Sequence, residues 1–393
     1  MRILFSSTPA HGHLLPQLPL ARAFRERGDD VVFLTAGGLA PLLAKEGFDL
    51  LPAGPTMDVM VEDFTRRTGV LPEGEPAPEV VAELFAGVRV DVTADEALAA
   101  ARDWRPELIV SELADCVGPL VAAALDVPVA NLAYGPALPD VFATAMEANV
   151  ASRYAARGIT PRPAAHYLDT CPPAMQQDGW QPPAGRLALR PEPHGQTPAG
   201  QSSPDPAGTT APAGSTAPAD PERRRPRVLV TFGTVFSAPE VLSPILRELS
   251  KEDMELRVTL GLTASAEDFD VDHDRVTFVG FTPLSELLRD TDLVVAHGGA
   301  GTTLGTLAAG IPMVIAPQGA DQFIQADRVA AAGAGLGLPG GTATPEGVVK
   351  AASAVLADQG FRAAARTVAD QIAAMPSPAE VAAALAAEPA PVA

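Results

Sequence analysis

Two hydrophobic rhythms alternate along this chain. Short runs of consecutive apolar residues give way to longer stretches in which apolar positions recur three and four apart. In the first half, 2–7 (RILFSS) reads as a strand, 15–28 as a helix stopped by Gly28, and 30–35 (DVVFLT) as a second strand. A short helix at 41–47 and a strand at 48–53 follow. Beyond an irregular stretch, 78–104 carries one long helical pattern, and 106–112, 117–126 and 127–132 read as strand, helix and strand. The second half starts afresh, with strands at 227–233, 255–261, 275–280, 292–296 and 311–317 and helices at 239–250, 284–290 and 302–310. It closes on helical patterns at 322–333, 345–357, 361–373 and 378–387. Strands separated by helices predict parallel sheets covered on both faces. The expected fold is α/β, two similar doubly wound, Rossmann-like domains facing a cleft, with ligands at the carboxyl ends of their strands.

Residues 192–226 break the pattern. They have no apolar period and consist mostly of Pro, Gly, Ser, Thr and Ala. Such a segment buries too little surface to offset its ordering entropy, so it is expected to be a flexible linker between 1–191 and the remainder.

Composition narrows the function classes. Aromatics make up only 5% of a chain that is 47% apolar, so the cores should be built mainly from Ala, Val and Leu. A net charge of −20 argues against a nucleic-acid surface, which needs clustered Lys and Arg. It leaves room for a small anion held by backbone NH groups. No run is long enough to cross a bilayer, and the opening MRILFSS lacks the organisation of a signal peptide, so a cytoplasmic location is expected. Cys116 and Cys171 cannot build a disulfide framework and read as small buried residues.

Candidate chemistry concentrates in 294–322, VVAHGGAGTTLGTLAAGIPMVIAPQGADQ. Here a buried strand should end at His297, and a helix should begin near Ala300 to Thr302. Glycine lets backbone approach a ligand, and the first NH groups of a helix face any anion placed there; a pyrophosphate is the natural candidate. The glycines do not form the full dinucleotide fingerprint, and alone they would equally suit a tight strand-to-helix turn.

The wider spacing says more. After His297 come Gly299, Gly301 and Thr302, then Gly310, Pro312 and Pro317, and finally Asp321 and Gln322. This resembles the donor-binding box of family 1 glycosyltransferases, enzymes of GT-B architecture that move a sugar from a nucleotide diphosphate. GFTPLSELL at 280–288 resembles the segment that holds the nucleotide base, with Phe281 at the stacking position. VTFGTVFS at 230–237 resembles the phosphate-lining loop, with Thr234 at the contact. AMPSPAEVAAAL at 374–385 resembles the last helix, which in this fold crosses back to the first domain. The resemblance spans nearly the whole chain. It implies an acceptor-binding domain at 1–191, a nucleotide-sugar domain at 227–374, and a crossing helix with a short tail at 375–393. His297, Gly299, Gly301 and Thr302 would hold the pyrophosphate, while Asp321 and Gln322 would bind sugar hydroxyls, as a carboxylate and an amide suit a polyol. Members that use uridine donors commonly carry Glu eight residues after the box histidine, on both ribose hydroxyls; here Gly305 stands there. That departure points to a thymidine diphosphate sugar, whose deoxyribose has no 2′-hydroxyl.

The resemblance also implies a base. His11 and His13 lie in the loop after the first strand, and the family's base precedes a proline by three residues, which selects His13 with Pro16. A positioned imidazole can take the proton of an acceptor hydroxyl as attack develops. The family's partner acid falls on Glu112, fourteen residues before Asp126, where most members have Asp; Asp115 is the fallback, with helix capping as its other reading. One base and no carboxylate placed as nucleophile imply single displacement with inversion. The leaving diphosphate would be stabilised by helix NH groups and His297, with no metal and no cofactor beyond the nucleotide sugar itself.

The implied activity is hexosyl transfer to a small lipophilic acceptor, a bacterial natural product such as an antibiotic. Met57, Met60, Phe64, Phe85, Tyr134, Phe142, Met146 and Tyr154 could line its pocket or belong to the core. A homodimer is compatible with the chain. A nucleotide-sugar epimerase and a catalytically silent nucleotide-sugar-binding partner of another transferase share parts of the pattern; an epimerase has no need of the His13 and Glu112 pair.

Overall fold

The computed structural model of the protein describes residues 1–72, 74–75, 77–193, 225–233, 237–261, 264–280, 282–338, 340 and 342–387. Thr234, Phe281 and nearly all of the sequence-predicted linker lie outside the described residues. Contacts divide the chain into two units. The first holds Met1–Pro191, Gln318–Ile324 and the C-terminal stretch from Gln371; the second holds the rest.

The first unit is built on seven parallel strands: β1 (Arg2–Ser6), β2 (Asp30–Thr35), β3 (Asp49–Pro52), β4 (Leu108–Glu112), β5 (Val129–Leu132), β6 (His166–Asp169) and β7 (Arg186–Ala188). Their spatial order is β3-β2-β1-β4-β5-β6-β7, so the direction of winding reverses between β1 and β4. At such a switch point the loops leaving the two strands part and open a crevice. The registers Phe5↔Phe33 and Phe5↔Val110 set β1 at the middle of the sheet, with Ile3, Leu4 and Phe5 fully buried. One face carries an aromatic cluster that the low aromatic content did not suggest: Phe5 stacks on Phe33 at 5.2 Å, and Phe33 meets Phe48 at 5.2 Å. The helix Leu18–Glu26 covers this face through Leu18, Leu20, Ala21 and Phe24. Its chain reverses at Gly28 with φ 93°, where a side chain would be strained.

The C-terminal helix Pro378–Ala387 also packs there. Val381, Ala382 and Leu385 line one of its faces and join the core of Phe5, Leu18 and Phe24. The Arg190 amide donates to the Pro376 carbonyl at 2.8 Å, tying the end of β7 to the approach of that helix.

The long helical pattern at 78–104 is one continuous helix, but it widens midway. Pro78–Val81 and Arg89–Trp104 are α-helical, and Ala82–Val88 between them forms a π-helical turn, a form often found at functional sites. The helix Asp140–Ala156 was not foreseen, because only Met146 and Tyr154 are buried along it and no period shows. Strands β6 and β7 also escaped the pattern, being four and three residues long.

The second unit repeats the plan with β8 (Arg227–Thr231), β9 (Glu255–Thr259), β10 (Val276–Val279), β11 (Leu293–Ala296), β12 (Met313–Ile315) and β13 (Gly335–Gly337) in the order β10-β9-β8-β11-β12-β13, all parallel. Valines at 228, 230, 258, 295 and 314 dominate one side of its core. The winding reverses between β8 and β11, and the loop after β11 begins with His297.

Candidate active site

His13 belongs to the short helical segment His11–Leu14 that starts five residues after β1 ends, while Glu112 is the last residue of β4. The two strands are neighbours, so their carboxyl ends bring the side chains together. His13 Nδ1 lies 3.1 Å from Glu112 Oε1. With the proton on Nδ1 shared with the carboxylate, Nε2 keeps the lone pair that a base needs.

Two backbone amides also serve Glu112: Ala114 N–H donates to Oε2 at 2.7 Å and Thr8 N–H to Oε1 at 3.3 Å. Burial pushes this carboxyl up, but the charge and hydrogen bond of His13 and the Thr8 and Ala114 amides outweigh it and hold the pKa below the ordinary value. For His13, burial pushes down, while the Glu112 charge and hydrogen bond, then the charges of Asp321 and Asp115, push up and win; its pKa is raised. The His13 side chain remains 26% exposed, so a substrate can reach it. His11, by contrast, has no such partner in its balance, and burial lowers its pKa.

Asp115 is not the partner of His13. It is fully buried and ion-paired to Arg89, with Arg89 Nε 3.2 Å from Oδ1. Its carboxylate also accepts from the amides of Val117 and Gly118 at the start of the helix Val117–Leu125, although the N-cap position itself is taken by Cys116.

Two aromatic rings flank the His13 imidazole. Phe85, on the π-helical turn, stands 5.7 Å away centre to centre, and Tyr134, beyond β5, stands 6.4 Å away edge-on with its hydroxyl donating to the His13 carbonyl. Of the other expected wall residues, Met60, Phe64, Met146 and Tyr154 are buried in the core, whereas Met57 and Phe142 are partly exposed. The π-helical turn could not be read from sequence, since its apolar residues also fit an ordinary helix.

In the second unit the helix Ala300–Ala308 begins where expected, with Gly299 as its N-cap. His297 is 7% exposed and stacks on Phe232 at 6.1 Å. A Cβ at Gly299 would come within 2.7 Å of the imidazole Nε2, and one at Gly233 within 2.9 Å of Cε1. The two glycines therefore make room for the ring. Burial pushes the His297 pKa down to about 4, against a small upward effect of a hydrogen bond with the Thr231 backbone, so the ring is neutral at pH 7. Nothing stands within 4 Å of where a Gly301 Cβ would be, and Thr302 beside it is half-buried. A Cβ at Gly305 would meet Leu284 Cδ2 at 2.9 Å and Pro193 Cβ at 3.2 Å, so apolar groups fill the space a longer side chain would need.

Asp321 and Gln322 follow a supported loop. The Gln322 side chain is buried and its Oε1 accepts from the amides of Gln318 and Gly319 at 2.7 and 3.1 Å. Gly319 forms a parallel bridge with Gly74, and Ala320 holds a left-handed φ of 54°. The loop delivers the Asp321 charge to the surroundings of His13. Among the described residues no group of three or more His, Cys, Asp or Glu is arranged to hold a metal. Aspartates at 268, 270, 272 and 274 form overlapping Asp-x-Asp strings in this unit; all four are exposed, and Asp270 pairs with Arg247 at 2.9 Å.

Residues 22–181 match the erythromycin biosynthesis protein CIII-like N-terminal domain and 243–387 the corresponding C-terminal domain. The elloramycin glycosyltransferase of Streptomyces olivaceus is 32% identical over 98% of this chain and 97% of its own. The chain belongs to the family 1 natural-product glycosyltransferases. This transferase has the GT-B fold. The Streptomyces sp. SF2575 glycosyltransferase SsfS6, solved with thymidine diphosphate, superposes with a TM-score of 0.78 at 28% identity, covering 99% of this chain and 100% of that one. The spinosyn rhamnosyltransferase SpnG, also complexed with thymidine diphosphate, gives 0.77 at 25% identity over 98% and 100%. In the transferase described here, no helix among the described residues is long and apolar enough to cross a membrane.

Proposed function

We propose that this glycosyltransferase moves a sugar, with inversion, from a thymidine diphosphate carrier to a hydroxyl of a small lipophilic natural product. The observation that carries the reading is the His13–Glu112 contact of 3.1 Å, on an imidazole that also feels the charge of Asp321. His13 Nε2 takes the acceptor proton while the acceptor oxygen attacks the anomeric carbon and the diphosphate leaves with the bonding electrons. Glu112 holds the tautomer and stabilises the imidazolium that forms. The acceptor hydroxyl lies between Phe85 and Tyr134, the rings beside the base.

The diphosphate rests on the first NH groups of Ala300–Ala308 beside His297, Gly299, Gly301 and Thr302, where the helix end favours negative charge. A neutral His297 serves as a hydrogen-bonding group there rather than as a fixed charge. Asp321 binds sugar hydroxyls, and Gln322, its Oε1 occupied within its own loop, offers its NH2. Thr234 and Phe281 are assigned the phosphate and base contacts by their sequence positions alone. The apolar filling by Leu284 and Pro193 at Gly305 supports a deoxyribose at that point, as do the thymidine diphosphate complexes of the two structural relatives.

Thermal shift and turnover test this together. A donor at a hundredfold excess over its dissociation constant stabilises by about 2.7 kcal/mol, so thymidine diphosphate sugars should raise the melting temperature more than their uridine counterparts. His13→Ala should keep that shift and lose transfer. A variant that keeps full turnover would remove His13 as the base.

A further inference from the structure

Arg89 is the largest of the fully buried side chains, and the reaction just described makes no use of it. It stands where the π-helical turn Ala82–Val88 returns to α-helix, just past the stretch that brings Phe85 to His13. Its guanidinium is spent in three directions: Nε to Asp115 at 3.2 Å, Nη1 to the Thr93 hydroxyl at 3.0 Å, and Nη2 to the Ser7 carbonyl at 2.9 Å. Burying such a pair is costly, and well-packed apolar residues of similar size commonly stabilise a core as well or better. Stability alone is therefore a weak reason for an ion pair here.

Its neighbours supply a stronger one. Ser7 precedes Thr8, and Asp115 follows Ala114; Thr8 and Ala114 are the two backbone donors to the Glu112 carboxylate. Arg89 thus grips the residue next to each donor, one on the loop leaving β1 and the other on the loop leaving β4. The Ser6 hydroxyl reinforces the join by donating to Asp115. We infer that Arg89 is a positioning residue for the base: it locks the β1 and β4 loops together so that both amides point at Glu112 and the carboxylate stays aimed at His13. Arginine suits the task because its fork can reach three acceptors at once, which a lysine ammonium on a single nitrogen cannot do at these separations.

The inference rests on the assignment of His13 as base, and its test separates the two. Arg89→Lys keeps the positive charge beside Asp115 and changes only the geometry of the grip. The other groups acting on His13, namely Glu112, Asp321 and Asp115 with the Phe85 and Tyr134 rings, are the same in both proteins. With histidines labelled at Cε1 and the His13 signal assigned by its loss in His13→Ala, the imidazole titration should move down in Arg89→Lys as Glu112 loses its aim. Transfer from a thymidine diphosphate sugar to 4-methylumbelliferone as probe acceptor should fall about tenfold or more, with binding of thymidine diphosphate unchanged.

Should Arg89→Lys fail to fold, Arg89→Met with Asp115→Asn removes both buried charges together; because the Asp115 charge itself raises the His13 pKa, the titration of this variant is read against Asp115→Asn alone and must lie lower still. A folded Arg89→Lys whose His13 titration matches the unaltered protein's, or a double variant that matches Asp115→Asn, overturns the inference and leaves Arg89 a packing residue. If the unaltered protein transfers no sugar to any acceptor, the functional reading falls instead, and the titration still decides the question of Arg89.

Discussion

Acid should destabilise this protein partly through one residue, His297, and the size of the effect follows from its surroundings. Its pKa is about 4 in the folded chain against an ordinary 6.5, because the ring is buried between Phe232 and the backbone at Gly233 and Gly299. The folded value is the lower one, so the stability contribution is present above pH 6.5 and is lost as pH falls through the window down to about 4. At pH 7 the folded ring is neutral and only about a quarter of the unfolded chains carry the proton, a difference worth about 0.2 kcal/mol. At pH 5 the unfolded chain is protonated and the folded chain is not, a difference worth about 2 kcal/mol, rising to about 3 kcal/mol once pH is below 4. His297→Asn keeps a polar group near Thr231 and cannot titrate. Urea unfolding followed by circular dichroism at pH 7 and pH 5 should show the unaltered protein losing about 2 kcal/mol more than the variant. The raised pKa of His13 acts in the opposite sense, but it is common to both proteins and cancels. Equal losses in the two proteins would refute the claim that His297 is held neutral by burial.

Two further outcomes follow from the site. Glu112→Gln should cut turnover by about a hundredfold or more with donor affinity unchanged, because the amide neither stabilises the imidazolium nor enforces the tautomer. The acidic limb of its kcat/KM profile should move to lower pH, since the charge that raises the His13 pKa is gone; a limb that stays in place would mean another group titrates. Gly305→Glu combined with Leu284→Ala makes room for a carboxylate where Leu284 now stands, and should raise the preference for uridine over thymidine diphosphate sugars by about tenfold, a hydrogen-bonded diol being worth about 1–2 kcal/mol. Competition between the two nucleotides, measured by calorimetry, checks it.

Much of this was legible in the linear pattern. Apolar runs such as 292–296 and helices such as 15–28 are decided by local periodicity, and that periodicity reports burial directly, because a parallel strand buried on both faces has to be apolar throughout. The glycines around His297 were legible for a related reason: a tight strand-to-helix turn needs glycine at set positions, whatever surrounds it. Strand β13, with its sequence Gly-Leu-Gly, was not legible, since glycine signals a turn unless a neighbouring strand recruits it. The helix Asp140–Ala156 was hidden because so little of it is buried.

By itself, then, the chain determined that there would be two parallel α/β units, where a glycine-rich strand-to-helix turn would fall, and that two histidines would follow the first strand. Only the tertiary structure decided the partners. Asp115 and Glu112 lie three residues apart, and either could have faced His13; register between β1 and β4 gave Glu112 to the imidazole and Asp115 to Arg89. Arg89 carries no mark in the sequence that sets it apart, yet it is fully buried. The reason is physical: periodicity encodes how far a residue is buried, whereas the identity of the group it meets depends on contacts between residues about a hundred positions apart, such as the 99 separating His13 from Glu112, and no local pattern carries that information.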